Sequence, residues 1–111
     1  MQPGRIFFLV NAKSKIDLLD KSLIMLFGSI EYFKKRVFRI FTSVISDKEG
    51  VMTVKTENSI LKFYYGEEDV IEKFVMVDVL LSDNPFSDVT RLCTENNWLL
   101  YDLDCEDYMT I

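Results

Sequence analysis

The sequence predicts an α+β fold: a mixed, mainly antiparallel β-sheet of five to six strands with two helices packed on it. Three observations point there. Short runs rich in β-branched and aromatic residues recur along the 111-residue chain and are separated by turn-forming residues. Two other segments space their apolar residues helically rather than alternately. The composition, 49% hydrophobic and 14% aromatic with four Gly and two Pro, can fill a core and is unlike that of a disordered chain. The length fits one domain over residues 1–111.

In chain order, residues 5–12 read as a first strand, bounded by Pro3-Gly4 and Asn11. Ser14 and Asp17 then resemble a capping box. Behind it Ile16, Leu19, Leu23, Leu26, Ile30, Phe33 and Val37 recur in steps of three and four, which predicts one long helix weakened at Gly28. Residues 37–45, 51–56 and 59–65 form an expected three-stranded meander, with turns at Asp47-Lys48-Glu49-Gly50 and Glu57-Asn58. Residues 67–73 read as an acidic turn or loop. The run FVMVDVLL at 74–81 is almost wholly apolar and predicts a strand covered on both faces. Asn84 and Pro85 are the cap and first residue of a second helix, whose buried stripe is Phe86, Val89, Leu92 and Cys93. Asn96-Asn97 ends it. A strand over 98–103 and a short one near 108–111 complete the order.

Charge is strongly segregated. Residues 1–40 carry a net charge of +5 and residues 67–111 a net of −10, within a total of −5. Such separation speaks to partners rather than to fold. Lys34, Lys35, Arg36 and Arg39 lie among aromatics and could meet phosphate, but a solvated helix end favoured by the helix dipole explains them more simply. With a sequence pI of about 4.7, the chain is not expected to bind nucleic acid.

The absence of histidine removes His-based triads, Cys-His dyads and histidine-ligated zinc. Cys93 and Cys105 form no C-x-x-C pair and read as reduced thiols, a bridge between them being the alternative. No segment resembles a signal peptide or a membrane span, so a cytoplasmic location without membrane contact is expected. Asp102 and Asp104 alternate in the tail and could gather around Mg²⁺ or Ca²⁺. The preferred reading is a solvated acidic edge, with Leu103 pointing inward. Asp78, inside its apolar strand, is expected to pair with a base from the N-terminal third. No catalytic residue, metal ligand or cofactor-binding residue is assigned.

Acidic residues interleaved with aromatics suit a basic protein surface. The residues expected there are Glu67, Glu68, Asp69, Tyr101, Asp102, Asp104, Glu106, Asp107 and Tyr108. Together with the helix-then-strand ending Val89-Thr90-Arg91-Leu92-Cys93 and Asn97-Trp98-Leu99-Leu100-Tyr101-Asp102, this acidic domain resembles bacterial toxin-immunity proteins of the contact-dependent inhibition type. The resemblance covers about the last quarter of the chain. It implies a non-enzymatic protein that binds and neutralises a cognate basic toxin, often a nuclease. A small metal-dependent enzyme using Asp102 and Asp104 is one alternative, and a homo-oligomeric accessory protein is another.

Overall fold

The computed structural model describes residues 5–11, 28–68, 70–71, 74–82, 84–103 and 105–109. The strands are β1 (Arg5–Val10), β2 (Gly28–Ser29), β3 (Ser43–Lys48), β4 (Val51–Lys55), β5 (Ile60–Tyr64), β6 (Val70–Ile71), β7 (Phe74–Leu80), β8 (Leu99–Asp102) and β9 (Asp107–Met109). The helices are α1 (Ile30–Phe38) and α2 (Pro85–Asn96). Seven strands form one sheet in the order β3-β4-β5-β7-β1-β8-β9, while β2 and β6 pair separately. The α+β class stands. Every described pairing is antiparallel, in keeping with the expected mainly antiparallel sheet, and the main sheet has seven strands where five to six were expected.

Strand periodicity divides the sheet into two faces. Phe7, Leu9, Met52, Val54, Leu61, Phe63, Val75, Val77 and Leu100 are buried and belong to one core cluster. Phe33 and Val37 of α1 and Val89, Leu92 and Cys93 of α2 join the same cluster, so both helices cover this inner face. Phe33 stacks on Trp98 at 5.7 Å and meets Phe63 edge-on at 5.8 Å. The other face carries a row in register, Val51, Tyr64, Met76, Phe8 and Tyr101. In β7 burial alternates along the strand, which corrects the expectation of a strand covered on both faces. Three of its outward residues, Phe74, Met76 and Leu80, are apolar too, and that made the run look continuous.

The long helix expected through Gly28 is also corrected. Gly28 has φ of +92°, a value no α-helical residue adopts, and Gly28–Ser29 pairs with β6. Ser29 caps α1 instead, its hydroxyl accepting from the Tyr32 amide at 3.1 Å. The residues Ile16, Leu19, Leu23 and Leu26, with the proposed cap at Ser14, lie outside the described residues. The helix persists to Phe38, so the first meander strand begins at Ser43 rather than at residue 37. Strand-favouring side chains at Val37 and Phe38 are held helical because Val37 is fully buried.

The β3–β4 turn has two central residues, Glu49 and Gly50, with φ of +55° and +79°. Both positive values give the turn type whose twist matches the hairpin. Gly50 has a second constraint: a Cβ there would lie 2.7 Å from the carbonyl carbon of Gly66. At α2 the expected ends hold. Asn84 accepts from the Phe86 amide at 3.3 Å, and Asn97 closes the helix with φ of +57°.

Candidate functional site

The antiparallel register sets where each expected site residue falls. The first residue of β1 lies beside the last residues of β7 and β8, so Arg5, Leu80 and Asp102 mark one end of the sheet. Glu106 and Asp107, in and after the β8–β9 turn, belong to this end and are exposed. Glu67 and Glu68 follow β5, whose last residues sit beside the start of β7, so they lie at the opposite end. The acidic positions expected to act together are therefore divided between two ends. Asp69 and Asp104 lie outside the described residues. Tyr101 is half-buried on the outer face, 6.1 Å from Phe8, and Tyr108 pairs with it in register.

Asp102 departs from its expected place. It is 1% exposed, and its neighbour Leu103 is 40% exposed. Leu100 is fixed inward by the core, and a period of two then turns Asp102 inward and Leu103 outward. A buried carboxylate needs a partner. Arg5 supplies it, donating from a guanidinium nitrogen to Oδ2 at 2.5 Å while the guanidinium lies 4.6 Å from the Phe86 ring centroid. Asp102 thus belongs to a buried ion pair rather than to a solvated edge. Among the described residues no cluster of acids, Cys or His with metal-site geometry occurs.

The thiols are not activated. Burial pushes the Cys93 thiol up to about 12, and a hydrogen bond to the Asp102 carboxylate holds that of Cys105 above its ordinary value. Both cysteines are free, Cys93 buried and Cys105 exposed. Asp78 faces outward from β7 opposite Lys62 of β5, not a base of the N-terminal third, and its buried Oδ1 has no hydrogen-bond partner. Burial raises its carboxyl above the usual range, a shift that the charge of Lys62 partly opposes.

The basic segment is partly committed to structure. Lys34 pairs with Asp47 at 2.8 Å, and the Tyr65 hydroxyl donates to the same carboxylate. Arg36 lies over the Tyr32 ring at 4.7 Å and donates to its hydroxyl.

At the end of the sheet that carries the β8–β9 turn the surface is not purely acidic. Leu81, just past β7 with φ of +50°, is 59% exposed, and Leu103 at the end of β8 is 40% exposed. Leu103 lies in the same turn as Glu106, and Leu81 lies at the same end of the sheet with β1 and β8 between β7 and β9, so this end combines exposed apolar side chains with negative charge. Sequence reasoning missed both leucines, because each ends a strand whose interior residues are buried.

Compared with known protein families, curated proteins and solved structures, the chain matches none. Among the described residues no helix is long and apolar enough to cross a membrane.

Proposed function

We propose that this chain is a non-catalytic binding protein of the immunity type, acting in the cytoplasm on a cognate basic toxin. The observation that carries this reading is the composition of one end of the sheet. Glu106 and Asp107 stand exposed on a tight turn, with Leu81 and Leu103 exposed at the same end. Acidic groups steer a basic partner and set its orientation, while desolvated apolar side chains supply most of the lasting affinity. The turn is well suited to presenting charge, since Glu106 is held at φ of +54° and the adjoining strands pair in register. Asp102 supports this end from beneath by anchoring Arg5.

The test is co-purification from the native host followed by a functional assay of the recovered partner. A basic protein recovered in one-to-one ratio, toxic when expressed alone and harmless with this chain, fulfils the proposal. Relief of toxicity must be lost when Glu106 and Asp107 are both reversed to Lys. A partner neutralised equally well by that double variant contradicts the assignment of the surface. A recovered partner without toxicity contradicts the immunity reading.

A further inference from the structure

A groove of about 610 Å³ lies between the β4–β5 turn and the start of α2, within the size range of ligand sites. Phe41, Asn58, Ser87 and Asp88 line it, and so do Lys55 and Arg91. Asp88 is the unusual member. It is only 7% exposed, yet it opens on the groove. The Thr56 hydroxyl donates to its Oδ2 at 2.5 Å, and the same Thr56 oxygen accepts from the Ser59 amide at 2.9 Å. These bonds fix both the turn and the carboxylate. Among the described residues Asp88 has no other side-chain hydrogen bond and no ion pair.

A carboxylate largely removed from water, with one oxygen satisfied and no counter-charge, is costly to hold. The first turn of α2 offsets part of that cost, since a helix N-terminus favours negative charge. The remaining oxygen still has strong acceptor capacity. The two cations of the lining do not meet it: Lys55 is exposed, and Arg91 turns along the helix toward Glu95 at 3.5 Å. Asp88 is therefore the most buried charge of the lining, and it selects the ligand.

We infer that this groove binds an alkylammonium or alkylguanidinium group, with Asp88 as the anionic anchor. Asn58 and Ser87 add polar acceptors, and Phe41 offers an apolar surface for the alkyl stem. The site is separate from the β8–β9 turn and does not depend on the immunity reading. The cation can come from a free amine or from a basic side chain of another polypeptide.

Isotope-labelled full-length chain is titrated with agmatine, acetyl-Gly-Arg-Gly-amide, the neutral N-butylurea and inorganic phosphate, following backbone amide shifts. Saturable shifts at Asn58, Ser87 and Arg91 are expected with agmatine or the peptide, and whichever binds tighter identifies the source. N-butylurea should bind at least about tenfold more weakly, the loss expected for a charge-assisted contact. Asp88→Asn should lose the same factor. If Asp88→Asn fails to fold, the agmatine and N-butylurea comparison on the natural chain decides alone. Absence of saturable shifts up to about 10 mM overturns the inference. So does equal binding of N-butylurea, or phosphate moving these residues while agmatine does not.

Discussion

Replacing Arg5 with Met should destabilise the chain severely, although Arg5 lies in the first described strand and keeps a partly exposed side chain. The carboxylate of Asp102 is 1% exposed and the Arg5 side chain 27% exposed, with 2.5 Å between their charged atoms. Removing one member of a buried ion pair costs about 3–5 kcal/mol, because the other charge stays buried without it. Water reaches the guanidinium, so the lower figure applies, about 3 kcal/mol. At about 4 °C per kcal/mol for a domain of this size, Tm should fall by roughly 12 °C. The Phe86 contact adds to the loss. Urea melts at pH 7 of Arg5→Met, Asp102→Leu and the double variant form the assay. The double variant should recover most of the stability, since an apolar pair of similar volume replaces a buried ion pair at little cost. A loss below about 0.5 kcal/mol for Arg5→Met, the range of an ordinary surface substitution, would refute the burial of Asp102.

Three further outcomes follow from the structure. The folded state raises the Asp78 carboxyl above its unfolded value, so its charged form costs stability above about pH 4. Asp78→Asn should therefore raise Tm at pH 7, with the gain shrinking as pH falls from the raised folded value toward the ordinary carboxyl range and vanishing below it. A lower Tm at pH 7 would show that attraction to Lys62 outweighs burial. Gly50→Ala should cost at least about 2 kcal/mol, because it strains a left-handed residue and drives a Cβ into Gly66, as denaturant melts can check. In native protein a thiol reagent should modify Cys105 and spare Cys93 until denaturant is added, and reduction should leave Tm unchanged. Equal reactivity of the two thiols would contradict the burial of Cys93.

What the sequence disclosed, and what it hid, follows from how far each signal reaches. The ends of α2 were legible because capping is local: Asn84, Pro85 and Asn97 act on neighbouring backbone atoms. The meander was legible from its turns. The start of α1 was not, because the apolar spacing runs unbroken across Gly28 while the φ of +92° there depends on pairing with β6. The orientation of Asp102 was misread for a similar reason. Alternation gives two faces but not which is inward, and that choice comes from Leu100 packing in the core. The grouping of the acidic residues was beyond sequence altogether. Only the strand order places Glu106 and Asp107 at one end of the sheet and Glu67 and Glu68 at the other. The link between Asp88 and Thr56, 32 positions apart, was hidden for the same reason.

The central claim, that the end of the sheet bearing Glu106 and Asp107 recognises a basic protein, is tested most directly by association kinetics. The measurement is the on-rate between this chain and the basic protein that co-purifies with it, taken from about 50 to about 300 mM salt. The natural chain should associate rapidly at low salt and slow steeply as salt rises, with dissociation much less affected. Glu106→Lys combined with Asp107→Lys should lower the low-salt on-rate at least about tenfold and flatten the salt dependence, while Tm stays nearly unchanged. An on-rate and salt dependence identical to those of the natural chain would contradict the claim.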